Sequence, residues 1–224
     1  MNILYNDDSF IAVIKDFAIA SQSEKNGDPS LCELLEKELS TTLYTVHRLD
    51  KPVGGIILYA KNKKAASYIS GEIQNGNFIK EYTAVSCGSA KEYDKLCDTV
   101  IVNHRLNISK IVNKGTTGGK EAILEYKKIS ETQTSRYGTL SLLNVLLHTG
   151  RHHQIRVQLA NASLPLWGDT KYNKAIQRKR RFERIGLFAS KLEFLHPETK
   201  EKVSLSAPLP DLEPFDLFNY PIKI

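Results

Sequence analysis

Apolar positions along the chain fall into short runs of two different periods. Residues 10–14 form an unbroken apolar run of strand length, set just after the polar pair Asp7-Asp8. Leu31, Leu34, Leu35 and Leu39 recur at helical spacing. Asp28-Pro29 ahead of them predicts a helix with Asp28 as N-cap and Pro29 at the first helical position. Residues 55–60 are continuously apolar and predict a buried strand. Asn62 can cap a helix running to about Ile73, with Gly76 ending it, and residues 78–85 are strand-like again. Residues 121–129 and 139–147 predict two more strands, the second central because it is apolar on both faces. A helix over residues 153–162 follows. Residues 187–195 and 202–206 flank His196-Pro197-Glu198-Thr199-Lys200 as a hairpin.

Strands and helices do not alternate strictly, which disfavours a doubly wound parallel sheet. The expected fold is α+β, a largely antiparallel mixed β-sheet with flanking helices and loops. The length of 224 residues, without internal repeat or low-complexity segment, fits one domain spanning 1–224.

Charge sharpens this picture. The net charge is +6 and the pI about 9.1, a balance that favours anionic partners, nucleic acid above all; a basic protein without such a partner is the alternative. Cys32, Cys87 and Cys97 include no CxxC pair, so neither a disulfide framework nor a zinc knuckle is indicated, and they suit a reducing compartment. The N-terminus has neither the basic nor the apolar region of a signal peptide, and no apolar run approaches the ~18 residues of a membrane span. The expectation is a cytoplasmic protein.

Three clusters carry candidate chemistry. In Val46-His47-Arg48-Leu49-Asp50-Lys51-Pro52-Val53-Gly54-Gly55, Pro and Gly place Asp50 on a turn that the strand after it anchors. Between Arg48 and Lys51, Asp50 is expected to stay ionised and to serve as nucleophile or base; an Asp in a surface turn is the alternative. His148-Thr149-Gly150-Arg151-His152-His153-Gln154-Ile155-Arg156 lies where the central strand gives way to a helix. There Arg156, in the first turn, can meet a carboxylate or a phosphate with two parallel bonds, against the alternative of a solvated basic cap. Its histidines do not make a metal site: Gly150 breaks the helical spacing of His148 and His152, and no acid completes the set. The third cluster is basic, with Lys171, Lys174, Arg178, Lys179, Arg180, Arg181 and Arg184 against Glu183 alone, and with Trp167, Tyr172 and Phe182 in or near it. Cations with interleaved aromatics suit RNA contact; a solvated face is the alternative.

Taken in order, these motifs resemble the RluA-type family of RNA pseudouridine synthases. The resemblance rests on His47-Arg48-Leu49-Asp50 with Gly55 and Ala60-Lys61, on Lys80-Glu81-Tyr82-Thr83-Ala84-Val85, and on Gly150-Arg151-His152-His153-Gln154-Ile155-Arg156. Gly168-Asp169 with Tyr172, and Phe194-Leu195-His196-Pro197 with Ala207-Pro208-Leu209-Pro210, complete it. It implies the pseudouridine synthase catalytic fold and isomerisation of uridine in rRNA or tRNA, with no cofactor and with Asp50, Tyr82 and Arg156 catalytic. Asp50 would attack as nucleophile or base, Tyr82 would stack on the uracil, and Arg156 would pair with Asp50. Arg48 would fill the space left by the extruded base, while Arg151 and His152 would contact RNA backbone, joined by Lys171 and residues 178–181. A monomer is expected, without the N-terminal S4-like RNA-binding domain of many relatives.

Two positions depart from the family pattern. Val53-Gly54-Gly55 stands for Thr-Ser-Gly, and Lys15-Asp16-Phe17-Ala18 for Lys-Pro-x-Gly, so the second loop is expected to differ in shape. The competing reading is an RNA-binding or RNA-chaperone protein of the same fold without activity. The joint presence of Asp50, Tyr82 and Arg156 argues against it, because simple binding has no use for a caged carboxylate.

Overall fold

The computed structural model describes residues 2–23, 28–176 and 184–218. In chain order the first elements are β1 (Asn2–Asn6), β2 (Phe10–Lys15), α1 (Leu31–Leu39), β3 (Tyr44–Thr45), β4 (Gly54–Ala60), α2 (Lys63–Gln74) and β5 (Ile79–Cys87). They are followed by β6 (Tyr93–Asn103), β7 (Ile108–Val112), β8 (Lys120–Thr134), β9 (Gly138–Leu147), α3 (Gln154–Asn161), β10 (Leu187–Leu195) and β11 (Lys202–Ser206). The fold is α+β with a mixed, mainly antiparallel sheet, as the patterning predicts. The chain divides into two compact units, Met1–Lys80 with Phe188–Pro208, and Glu81–Leu187 with Leu209–Ile224.

In the first unit β4 is the spine. All seven of its residues are buried, which is why its sequence is apolar without alternation. One edge of β4 pairs antiparallel with β2, which in turn pairs with β1. The other edge is shared: β3 pairs antiparallel with Tyr59 and Ala60, and β10 runs parallel beside Gly54 and Gly55. Gly55 sits at φ +112°, and a Cβ there would overlap the backbone of Ala189, so only glycine lets β10 approach. Phe10, Ile56, Leu58, Ile69, Phe78 and Phe194 fill the core of this unit.

The helix expectations hold with one correction. Asn62 caps α2 by accepting from the Ala65 N–H at 2.8 Å, as its position predicts. In α1, however, the N-cap is Ser30 and not Asp28. Ser30 Oγ accepts from the Glu33 N–H at 3.3 Å, and the Glu33 carboxylate accepts from the Ser30 N–H at 2.8 Å. This reciprocal capping box satisfies two end donors at once and outcompetes the Asp-Pro start two residues earlier.

The hairpin β10–β11 forms as expected, and His196 fastens its turn. Its Nδ1 accepts from the Glu198 and Thr199 N–H groups at 3.2 and 3.1 Å, so its proton lies on Nε2, which donates to Asp7 Oδ2 at 2.6 Å. Burial pushes the Asp7 carboxyl upward, but hydrogen bonds from Phe10, His196, Ser9 and Tyr5 outweigh it and hold the group below its ordinary value.

The second unit carries the strands β5-β9-β8-β6-β7, with β9 in the interior as expected. β8 pairs antiparallel with β9 and with β6, and β6 with β7. β1, β3, β6 and β7 were not among the expected strands. Among the described residues no helix is long and apolar enough to cross a membrane.

Candidate active site

In the first unit, the chain leaves β3 after Thr45 and turns through His47 and Asp50 into β4. The turn closes with the Val53 N–H donating to the Asp50 carbonyl at 2.9 Å. Both flanks of Asp50 are clamped by buried groups. Buried Ser21 accepts from the Leu49 N–H at 3.1 Å and donates to the Leu49 carbonyl at 2.8 Å. The hydroxyl of Tyr59, on β4, donates to the Ser21 carbonyl at 2.6 Å and fixes Ser21 itself. On the other flank the Lys15 ammonium donates to the Lys51 carbonyl at 3.3 Å, as well as to Asp16 and Ile19 carbonyls at 2.9 and 2.8 Å. His47 completes the frame. Its Nε2 accepts from the Leu58 N–H at 3.1 Å, in the stretch of the β4 edge left open between β3 and β10. Burial, with the Lys80 charge beside it, pushes His47 down to about 3, so it acts as a neutral acceptor at any physiological pH.

The structure adds a cation to those expected near Asp50. Lys51 reaches outward to Asp28 at 3.4 Å, an exposed pair, while Lys15 from β2 is a cation whose charge is coupled to Asp50. Lys15 is fully buried. Burial pulls it down to about 7, against the upward influence of Asp50 and Asp16.

Lys15→Met would strip three carbonyls of their donor and slacken the turn. We expect turnover to fall by about tenfold, with RNA affinity kept, since each lost bond is worth ~1 kcal/mol. The pH dependence has a definite sign. An unfolded chain holds this proton up to ~10.4. Below about 7 both states are protonated, whereas between about 7 and ~10.4 only the unfolded chain is. Lys15 therefore adds stability as pH rises through that window. The difference in denaturant-measured stability, wild type minus Lys15→Met, should grow from about pH 6 to about pH 9. A constant difference would mean that Lys15 keeps its proton in the fold.

The two departures from the family pattern belong together. The ring of Phe17 lies over Gly54, where a Cβ would come within 2.8 Å of it, and packs 6.3 Å from the Phe188 ring. Gly54 is thus the residue that Phe17 requires. Ala18 takes φ +65°, the left-handed backbone that the family's glycine would favour.

In the second unit, Tyr82 lies buried on β5 and Arg156 is 4% exposed on α3. The Arg156 guanidinium donates in parallel to Asp169, from Nε to Oδ2 at 2.8 Å and from Nη2 to Oδ1 at 2.9 Å. Asp169 is fully buried, and its Oδ1 also accepts from the Lys171 and Tyr172 N–H groups at 3.0 and 3.3 Å. Gly168, at φ +74°, makes the approach possible, because a Cβ there would meet the Arg184 carbonyl at 2.7 Å. The Tyr172 ring lies 5.2 Å from the Arg156 guanidinium, and its hydroxyl accepts from the Ser109 N–H at 2.6 Å and bonds His153 Nδ1 at 2.8 Å. Burial and the Arg156 charge hold His153 far below its ordinary value, so it is neutral.

The remaining expected site residues fall as follows. Arg48 is exposed beside the Asp50 turn. Arg151 donates from Nε to the Glu121 carbonyl at 2.8 Å. Both ring nitrogens of His152 are engaged, Nδ1 with Ser109 Oγ and Nε2 with Asn107 Oδ1, each at 2.9 Å. Lys171 donates to the Asn107 carbonyl at 2.8 Å. His152 and Lys171 therefore fasten the β6–β7 hairpin. Arg178, Lys179, Arg180 and Arg181 lie outside the described residues. Sequence reasoning missed Asp169 as the carboxylate that orients Arg156, although its Gly-Asp-x-x-Tyr pattern was visible.

A sequence model described as RNA pseudouridylate synthase matches residues 10–161, more than half of the chain. The chain belongs to the RNA pseudouridylate synthase family. The matched span holds Asp50, Tyr82 and Arg156 and stops before Asp169 and Tyr172. Over 92% of its length the chain is 29% identical to tRNA pseudouridine synthase C of Haemophilus ducreyi (strain 35000HP / ATCC 700724), of which it covers 90%. It is 30% identical, over 94% of its length, to the uncharacterized RNA pseudouridine synthase YjbO of Bacillus subtilis (strain 168), of which it covers 73%. The solved structure of human RNA pseudouridylate synthase domain containing 1 superposes with a TM-score of 0.79 at 23% identity, covering 94% of this chain and 84% of that one. That likeness shows the pseudouridine synthase fold.

Proposed function

We propose that this family member isomerises uridine to pseudouridine in structured RNA, tRNA before rRNA, with Asp50 as the catalytic carboxylate. The observation that carries the reading is the double clamp on the Asp50 turn. Ser21 and Lys15 hold the backbone on either side and leave the carboxylate's direction set by the fold, which is what a nucleophile or base needs. tRNA is favoured because a relative matched over 90% of its length bears the name tRNA pseudouridine synthase C.

The reaction breaks the bond from uracil N1 to the sugar C1′, turns the base, and joins C5 to C1′. The C5 hydrogen leaves as a proton and N1 gains one, so the composition is unchanged and no co-substrate is consumed. Asp50 opens the reaction at the sugar. Tyr82 gives the detached uracil a flat face, and Arg156 steadies the carboxylate. Arg48 occupies the gap left by the flipped base, whose unstacking costs a few kcal/mol. The enzyme works as a cofactor-free monomer in the cytoplasm.

The test uses RNA from cells lacking the protein, carrying tritium at uridine C5. Wild-type enzyme should release tritium up to a fixed stoichiometry, and sequencing should place pseudouridine at the same sites. Tyr82→Ala should cut the rate by about 10–100-fold, the equivalent of ~1–3 kcal/mol of stacking, with affinity within a few-fold. Absence of tritium release from both tRNA and rRNA would refute the activity. A loss confined to affinity would remove Tyr82 from beneath the base.

A further inference from the structure

The β6–β7 hairpin and the connection from it into β8 carry a run of cations with no acid among them. Residues 103–120 hold Arg105, Lys110, Lys114 and Lys120 and no Asp or Glu; the first acid after them is Glu121. All four cations are exposed. Among the described residues none of the four has an ion-pair partner. Elsewhere in the same sheet three lysines are matched, Lys91 to Asp94 at 3.0 Å, Lys95 to Glu125 at 2.9 Å, and Lys128 to Glu92 at 2.9 Å and Glu131 at 3.5 Å, while the exposed Lys127 stands singly between acids of its own strand. Asp98, the nearby acid on β6, is occupied by the Gln158 amide at 2.8 Å. Protection of an edge strand explains Lys110, which lies on β7, but not Arg105, Lys114 and Lys120, which lie outside it.

The hairpin is also rigidly tied to Arg156. At the start of β7, Ser109 donates from Oγ to the His152 carbonyl at 2.6 Å, and its N–H donates to the Tyr172 hydroxyl. Asn107, in the turn before it, takes the Lys171 ammonium and the His152 ring. Tyr172 packs on the Arg156 guanidinium, and its N–H donates to the Asp169 that holds that guanidinium. Leu106, at the tip, leaves 58% of its surface exposed between these cations and offers an apolar contact.

We infer that the β6–β7 hairpin, together with the connection from β7 to the start of β8 at Lys120, is an RNA-docking arm. Its four unmatched cations bind the phosphate backbone of the substrate, and the Ser109–His152–Tyr172 knot fixes that backbone in register with Arg156. The inference rests on RNA being the substrate, and it locates where that substrate is gripped. His152 and Lys171 serve the grip by holding the arm. They are positioning residues here.

The experiment compares Arg105→Gln/Lys110→Gln/Lys114→Gln/Lys120→Gln with the wild type and with a control, Lys91→Gln/Lys95→Gln/Lys128→Gln. Affinity for RNA from cells lacking the protein is measured from roughly 50 to 200 mM salt, alongside kcat and KM for tritium release. Each phosphate-bound cation contributes ~0.7–0.9 to the slope of log affinity against log salt, so the quadruple variant should flatten it by about 3. KM at low salt should rise by at least about tenfold, with kcat at saturation within about twofold, as uniform binding predicts. The control should keep the wild-type slope. Should the quadruple variant fail to fold, Arg105→Gln/Lys114→Gln should flatten the slope by about half as much. An unchanged slope in a folded arm variant, or equal flattening in the control, overturns the inference. The slope is read from binding as well as turnover, so the two readings fail separately. RNA gripped by the arm without any isomerisation would refute the activity and uphold the arm.

Discussion

Asp50→Asn should abolish pseudouridine formation, lowering turnover on the order of 10⁴-fold or more, while RNA affinity stays within a few-fold. Removal of a residue that opens a covalent route costs this much in enzymes where it has been measured. Asn keeps the size and shape of Asp. The clamps act on the backbone of Leu49 and Lys51, not on the replaced side chain, so the turn should keep its form. Thermal melting should therefore move little, which separates a chemical loss from a folding loss. The substitution has a second, independent consequence. Lys15 is drawn upward by the Asp50 charge, so its loss should let Lys15 give up its proton at lower pH than in the wild type. Single-turnover tritium release and RNA binding, on one preparation, decide the matter. Normal conversion by Asp50→Asn would take the chemistry away from this carboxylate.

Much of that turn was legible in the sequence, and the part that was not has a definite cause. Pro52 and Gly54-Gly55 before a fully apolar run mark a turn entering a buried strand, and the structure agrees. Lys15 was missed as a cation coupled to Asp50 because chain proximity points to Lys51, whereas Lys15 comes from the neighbouring strand. Local spacing carries no information about a side chain that arrives across a sheet.

The missed strands follow the same logic. β6 is dense with polar residues, and its charges find partners across the sheet and within the strand's own start, Lys95 with Glu125 and Lys91 with Asp94. Its pattern reads as loop until β8 is set beside it. β1 likewise has no buried residue. Gly54, standing where the family pattern has Ser, reads alone as an isolated departure. Set against Phe17 it is the small residue that a large ring demands, and two apparent departures become one packing change.

The second large effect is expected at Asp169. Asp169→Ala would strip the buried Arg156 guanidinium of both its Asp169 bonds, a change worth about 3–5 kcal/mol, which is a large share of a domain's stability. That variant should be poorly folded. Asp169→Asn is the informative one. Oδ1 accepts from the Lys171 and Tyr172 N–H groups, so the amide oxygen must stay there and the NH₂ must face Arg156 Nε, donor against donor. The fork then keeps one bond of two, and the guanidinium must rotate. Melting should fall by several degrees, in line with a loss of ~1–3 kcal/mol. Well below that melting point, kcat should drop by about 10²-fold while KM for RNA changes little, because a misplaced positioning group removes transition-state stabilisation and not backbone grip. A role confined to structure would lower the melting temperature and spare kcat in the folded protein. That result would strip Arg156 of its part in the chemistry, whatever becomes of Asp50.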